Sequence, residues 1–261
     1  MKYIITGTQG FIGKAVLKAT QDAGHYAWIV NQDSNYWRDV IGLEEIVQMC
    51  DGIFHIGAIS DTTEQDPNYM LYWNYTTSKI LFDLARKYNK KVVYSSSAAN
   101  YGDGNGIPNN IYGWSKLLAE EYGMKACERF VALRYFNVYG PGEEHKDKMA
   151  SVAYQAYKKG KFKLFPGDIK RDFVYIDDVV HANIHAMTLE RGVFDVGTGT
   201  AETFESLVGG MRVPYELHSA DKIPKWYQYF TQASESKFMP GWSPTYSVTQ
   251  GTKEYRKDLN K

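Results

Sequence analysis

The chain has 261 residues and a mass of 29.8 kDa, enough for one large domain or a large domain with a smaller lobe, and 44% of its residues are hydrophobic. Thirty Lys and Arg balance thirty Asp and Glu, so no global basic field directs it to nucleic acid or an anionic membrane, and any charged ligand must be held by local groups. Cys50 and Cys127 are too few for a disulfide framework and stand in no metal-ligand spacing, and the apolar run at residues 1–5 is too short for a signal peptide or a membrane span, so a soluble, cytoplasmic protein without a metal site is expected.

Residues 3–5 read as a buried strand, followed by apolar positions at helical spacing over 11–23. A second strand is predicted at 28–30, a short helix at 43–50 and a third strand at 53–56. The region between the second and third strands is short, as though trimmed. One long helix is expected over 66–88, then a strand at 92–94, a loop at 102–110, a helix at 112–126 and a strand at 131–133. Strands alternating with helices require right-handed crossovers onto a parallel sheet, which predicts a doubly wound α/β domain over residues 1–139. From Gly140-Pro141-Gly142 the texture changes. An amphipathic, Lys-rich stretch at 146–159 and a strand at 162–165 predict a smaller lobe over 140–261. The helix at 177–189 and strand at 193–196 suggest a return to the first domain around 171–200. The sequence shows no internal repeat and no low-complexity tract.

Gly7-Thr8-Gln9-Gly10-Phe11-Ile12-Gly13 follows the first strand at once and opens the first helix. In that context Gly7 permits a tight turn, Gly10 lets backbone approach a pyrophosphate, and Gly13 allows close helix packing, while the helix N-terminus attracts the phosphate charge. The alternative is a purely structural turn. About 20 residues on, where a carboxylate would receive the ribose hydroxyls of NAD, the second strand ends in Asn31-Gln32-Asp33. An amide tolerates a 2′-phosphate that a carboxylate repels, yet no basic residue follows until Arg38, so NAD and NADP both stay open.

Tyr112-Gly113-Trp114-Ser115-Lys116 sets a phenol and an ammonium four residues apart on one helix face. The same spacing starts at Tyr75, Tyr154 and Tyr157, so it carries little by itself. Its position carries more, because Tyr112 comes soon after a strand ending Ser95-Ser96-Ser97 at the carboxyl edge of the expected sheet. Hydride transfer from a carbinol needs a base for the hydroxyl proton, and a tyrosine at its ordinary pKa near 10 is mostly protonated at neutral pH. The Lys116 charge would favour the phenolate, and Ser97 would hydrogen-bond the substrate oxygen. The competing reading is a packed Tyr112, a solvated Lys116 and a Ser97 that merely ends its strand. The six His are scattered, and no Ser sits in a nucleophile elbow.

Taken together these segments resemble the extended short-chain dehydrogenase/reductase family, the NAD-dependent epimerases and dehydratases, over nearly the whole chain. The resemblance extends to Phe54-His55-Ile56-Gly57-Ala58, Asn74, the run from Arg134 to Pro141, and Arg171-Asp172-Phe173-Val174-Tyr175-Ile176-Asp177-Asp178. It implies a Rossmann domain with a smaller C-terminal substrate lobe and one tightly held NADP or NAD per subunit. It also implies a nucleotide-sugar substrate and a homo-oligomer. His145-Lys146, Met149-Ala150-Ser151-Val152-Ala153 and Tyr227-Gln228-Tyr229-Phe230-Thr231-Gln232-Ala233 are most similar to the branch that epimerises an exocyclic carbinol of a nucleotide-bound heptose.

By that resemblance Tyr112 and Lys146 are the two acid/base groups, and Ser97 and Lys116 support Tyr112. The cofactor would touch Gly7, Gly10, Phe11, Ile12, Gly13, Asn31, Gln32, Ile56, Gly57, Ala58, Ser60, Asn74, Lys116 and Val138. Substrate contacts would be Asn137, Lys148, Gln155, Phe165, Gly167, Arg171 and Tyr227. Lys148 stands where the branch has Ser and Gln155 where it has His, and the loop from Phe165 to Arg171 is two residues shorter, which puts the sugar nucleotide in question more than the reaction type. Lys146 also reads as one of a solvated row of lysines, Arg171 as a surface ion pair with its neighbour, and Tyr227 as core packing. Another 4-epimerase, dehydratase or reductase of the family remains an alternative, as does a dinucleotide-binding protein without turnover.

Overall fold

The computed structural model describes residues 1–223 and 228–261. Strand β1 (Lys2–Thr6) leads through the glycine turn into α1 (Phe11–Asp22), then β2 (Tyr26–Val30), α2 (Val40–Met49) and β3 (Gly52–His55). Next come α3 (Pro67–Leu71), a π-helical turn at Tyr72–Thr76, α4 (Thr77–Lys87), β4 (Lys91–Ser97), α5 (Ile111–Ala126) and β5 (Phe130–Tyr135). The chain continues through β6 (Asn137–Tyr139), α6 (Val152–Lys159), β7 (Phe162–Leu164), β8 (Lys170–Tyr175), α7 (Ile176–Ala186) and β9 (Gly192–Val196). It closes with β10 (Ala201–Thr203), α8 (Phe204–Gly210), β11 (Tyr215–Leu217) and α9 (Val248–Leu259). No described helix is long and apolar enough to cross a membrane.

Two compact units divide the chain, one of Met1–Arg134 with Val180–Phe194, the other of Tyr135–Val179 with Asp195–Lys261. The first is built on a six-stranded sheet in the order β2-β1-β3-β4-β5-β9, in which β1 pairs in parallel with β2 and β3, and β3 with β4. This is the Rossmann-like, doubly wound α/β architecture. The chain runs outward from β1 to β2 and returns on the other side of β1, so the switch point lies where β1 and β3 end side by side. Helices pack on the sheet through fully buried Ile4, Val30, Leu43, Ile53, Leu81, Phe82, Val92 and Phe130.

Two expected elements differ from those found. The single helix over 66–88 is broken into α3 and α4 by the π-helical turn, which inserts backbone around Asn74. The stretch at 146–159 is a 3₁₀ segment, Glu144–Met149, and then α6, which starts afresh where the Ser151 hydroxyl caps the Tyr154 N–H at 3.2 Å. In the second unit β8 lies between β6 and β10, and β7 pairs with β11. Tyr139, Tyr175 and Tyr255 fill its centre, and Gly251 is required there, since a Cβ on it would stand 2.2 Å from the Tyr139 hydroxyl.

Candidate active site

The glycine turn is a place where backbone must pack on backbone. Gly7 has φ +70°, and a Cβ on it would lie 2.5 Å from the Gly57 Cα after β3. A Cβ on Gly13 would lie 2.1 Å from the Gly7 carbonyl oxygen. No side chain caps the N-terminus of α1, which follows Gly10 and has Phe11, Ile12 and Gly13 in its first turn. At the end of β2, Asn31 is buried. Its Oδ1 accepts the Thr8 N–H at 2.8 Å and the Thr8 hydroxyl at 3.2 Å, which fixes the amide orientation and leaves the Nδ2 donor for another partner. Gln32 is exposed and reaches the Tyr69 hydroxyl, while Asp33 is taken by Gln9.

A polar chain crosses the first unit behind this turn. The Thr6 hydroxyl oxygen accepts the Ile56 and Gly57 N–H groups at 3.0 and 2.8 Å, so its proton goes to His55 Nδ1 at 2.9 Å. His55 therefore carries its proton on Nε2 and donates it to Ser78 at 2.7 Å, and Ser78 donates to the Asn74 carbonyl at 2.7 Å. Burial, with the Lys116 charge second, drives the His55 pKa down to about 3, consistent with the neutral ring this chain requires. The Asn74 side chain clamps both backbone groups of Ile59, at 2.7 and 2.9 Å, and donates to Ser115 at 2.9 Å. That clamp holds the segment with Ile56, Gly57, Ala58 and Ser60, of which Ala58 and Ser60 are exposed.

On α5, Asn110 caps the Gly113 N–H at 2.8 Å and Ser115 donates to the Tyr112 carbonyl at 2.7 Å. Tyr112 is half-buried. Burial raises its phenol pKa above the ordinary tyrosine value, and a hydrogen bond with the Ser97 side chain works against that rise. Lys116, 2% exposed, sits with its Nζ 4.4 Å from the centroid of the Tyr94 ring. Burial lowers its pKa to about 7, against the opposing charge of Glu120. The structure thus joins Ser97 to Tyr112 by a hydrogen bond and sets buried Lys116 one turn further along the same helix, with a phenol at rest protonated and an ammonium easily discharged.

In the second unit, Lys146 lies on the 3₁₀ segment, its N–H bonded to the Glu143 carbonyl at 2.9 Å. Burial lowers its pKa and the Glu143 carboxylate opposes the shift. Glu143 is fully buried and accepts from Gly140 N–H, Ser151 N–H, the Ser151 hydroxyl and the Tyr255 hydroxyl, which ties down both ends of the Lys146 segment. Lys148 and Asn137 are exposed, and Val138 is half-buried. The Gln155 amide donates to the Lys148 and Ala150 carbonyls at 3.1 and 2.7 Å, so it braces that turn. Phe165 packs on His218, and Gly167 takes φ +104°. Arg171 is buried, donates to the Gln228 carbonyl and lies 5.8 Å from the Phe204 ring. Tyr227 lies outside the described residues.

The match to known proteins follows this geometry. Residues 3–197 fit the model of the NAD dependent epimerase/dehydratase family. The chain belongs to that family. A solved ADP-L-glycero-D-manno-heptose-6-epimerase from Helicobacter pylori is 29% identical with a TM-score of 0.83, covering 99% of this chain and 96% of its own. UDP-glucose 4-epimerase from Thermotoga maritima is 24% identical with a TM-score of 0.81 over 100% of both chains. UDP-N-acetylglucosamine 4-epimerase from Methanobrevibacter ruminantium is 22% identical with a TM-score of 0.84 over 98% of both. These last two show a shared fold.

For a member of this epimerase/dehydratase family a nicotinamide dinucleotide is the implied cofactor, and the first unit fits one. The cradle excludes side chains at Gly7 and Gly13 and is tight at Gly10, α1 has no side-chain cap, and the buried Asn31 amide, its oxygen held by Thr8, keeps its Nδ2 donor for another partner. Among the described residues no group of three or more His, Cys, Asp or Glu is placed to hold a metal ion. Sequence reasoning passed over Thr6, His55, Glu120 and Glu143. The available signal was polarity out of place: a His inside the apolar run at 53–56, and a carboxylate four residues beyond Lys116.

Proposed function

We propose that this chain is a nucleotide-sugar epimerase that inverts the exocyclic carbinol centre of an ADP-glycero-manno-heptose by transient oxidation and re-reduction, with no net redox change. The observation that carries the reading is the grouping of Ser97, Tyr112 and buried Lys116 at the start of α5 in the same unit as the glycine cradle. The heptose assignment is supported by the likeness to the Helicobacter pylori enzyme over 99% of this chain. When bound, the nicotinamide supplies a reversible hydride acceptor. Tyr112 takes the carbinol proton, the Ser97 hydroxyl donates to the substrate oxygen, and Lys116 favours the phenolate by its charge. Lys146 is assigned the complementary acid/base role. Burial lowers its pKa, which makes it a readier proton donor than an ordinary lysine. Arg171 offers a guanidinium suited to a diphosphate, and Asn137, Lys148, Gln155, Phe165, Gly167 and Tyr227 are the remaining candidates for substrate contact.

For the cofactor we infer NADP. The Asn31 carbonyl oxygen is consumed by Thr8, so what remains is a neutral amide donor, which suits a 2′-phosphate and cannot accept the ribose hydroxyls as a carboxylate does. Lys148 and Gln155 favour a second reading, a different sugar nucleotide handled by the same chemistry, because a basic side chain and a committed amide replace the branch's Ser and His. Proton NMR of the purified chain with ADP-D-glycero-D-manno-heptose, and no added oxidant or reductant, tests the first reading beside Tyr112→Phe. Appearance of the epimer with the wild type alone supports it. No conversion by a chain that still binds dinucleotide refutes the heptose substrate and leaves the second reading.

A further inference from the structure

We propose that Glu120 is a positioning residue: anchored by Ser96, Asn100 and Arg134, it supplies the negative charge that keeps Lys116 an ammonium for the Tyr112 phenol. The inference rests on the roles given to Tyr112 and Lys116 above. Tyr112, Lys116 and Glu120 follow one another at four-residue intervals along α5, so they share one face of the helix. Lys116 and Glu120 are 2% and 1% exposed. A buried ammonium without a counter-charge gives up its proton rather than remain charged.

Among the described residues, the groups facing Lys116 leave one candidate for that counter-charge. From β4 it meets the Tyr94 ring, and from β3 it meets His55, whose ring is neutral because Thr6 donates to Nδ1. From its own helix comes Glu120, the one carboxylate in this set. Arg134 on β5, itself a cation, cannot serve as the counter-charge and instead anchors Glu120, its Nε donating at 3.1 Å and its Nη2 to the other carboxylate oxygen. Ser96 donates to Glu120 at 2.6 Å and Asn100 at 3.2 Å. The carboxylate is thus held from β4, from the turn after it and from β5, and cannot swing away. Burial already brings Lys116 down to about 7 with Glu120 opposing the fall, so loss of that charge discharges it at neutral pH.

A staple holding α5 to β4 and β5 would be served by an amide as well as by a carboxylate, so Glu120→Gln separates charge from structure. The full-length chain is labelled with lysine carrying ¹³C at Cε, and the signals are followed from pH 5 to 11. Lys116→Arg identifies the resonance that titrates near pH 7, and Lys91, whose pKa is about 8 through burial at the Leu189 and Glu190 carbonyls, is an internal reference. Glu120→Gln is expected to lower the Lys116 midpoint by about one unit, a tenfold weaker hold on the proton, while Lys91 stays in place. Glu120→Asp restores most of the shift. Glu120→Gln/Arg134→Met, which leaves no guanidinium unpaired, also lowers it.

The sign is diagnostic. Generic loosening of the helix admits water and moves Lys116 up toward the ordinary lysine value, so an upward shift or none in both Gln variants overturns the proposal. The titration needs no sugar substrate. A chain that epimerises nothing while Glu120→Gln discharges Lys116 refutes the proposed function and leaves this inference standing.

Discussion

Gly13→Ala tests the dinucleotide cradle most directly. The added Cβ would stand 2.1 Å from the Gly7 carbonyl oxygen, 2.6 Å from its carbon and 3.1 Å from the Thr8 nitrogen, and all three are backbone atoms. Real Cβ contacts closer than about 3 Å are essentially not found, so one side must retreat by roughly 1 Å. Gly7 cannot take up the displacement. It is at φ +70°, and a Cβ on it would already fall 2.5 Å from the Gly57 backbone, so the two segments are packed without slack. Helix α1 must therefore withdraw, and N–H groups aimed from its first turn at a phosphate lengthen from about 2.9 Å to nearly 4 Å, beyond useful hydrogen bonding. Loss of one or two charge-assisted bonds at about 1.5 kcal/mol each weakens dinucleotide binding by roughly ten- to a hundredfold. Overpacking costs about 1–3 kcal/mol of stability besides. Calorimetric titration with NADPH and NADH, beside urea unfolding, reads both effects. Gly209→Ala in α8, where a Cβ meets nothing within 4 Å, is the control. Unaltered affinity for both dinucleotides in Gly13→Ala would show that the turn does not bind the phosphates.

Asn31→Asp keeps the acceptor for Thr8 and replaces the outward donor by a carboxylate oxygen, so NADPH should bind about ten- to thirtyfold more weakly while NADH binds as well or better. Fluorescence titration with each cofactor checks this, and equal loss for both would refute the 2′-phosphate reading. Tyr112→Phe should slow epimerisation by about 10²–10⁴-fold with dinucleotide affinity retained, measured by NMR conversion and calorimetry. The buried His55 ring, its pKa about 3, refuses a proton that the unfolded chain accepts near pH 6.5. The unfolding free energy should therefore fall, by on the order of a few kcal/mol, as pH drops through 6.5 toward 3. In His55→Gln, urea midpoints between pH 4 and 7 should vary less steeply. An unchanged slope would mean His55 is already charged in the folded chain.

The parts of the site that sequence exposes are those enforced locally. The glycine turn is legible because steric exclusion at Gly7 and Gly13 admits one residue type, and the start of α5 because the Tyr112–Lys116 run follows soon after a strand ending at Ser97, at the carboxyl edge of a sheet. What escaped is set by partners distant in sequence. Thr6 and His55 are 49 residues apart, Asn74 and Ser115 41 apart, and no local spacing records either pair. The π-helical turn at Asn74 was missed because an apolar period tolerates one extra residue. The break before α6 is attributable in retrospect to Ser151, whose capping role was hidden by the lysines on either side, and to Asp147, whose φ of +46° no pattern of hydrophobicity predicts.

The interleaving of the two units bears on how the chain is made. The first unit needs residues 180–194, yet the chain that leaves the ribosome up to Arg134 lacks β9, the outermost strand beside β5. For the time taken to synthesise about sixty further residues, several seconds at ordinary translation rates, the apolar edge at Phe130–Tyr135 has nothing to pair with. Lys91 likewise waits for the Leu189 and Glu190 carbonyls. The nascent first unit therefore emerges with an unpaired apolar edge, and severing the chain after Arg134 is expected to yield an aggregation-prone fragment instead of a minimal binding domain.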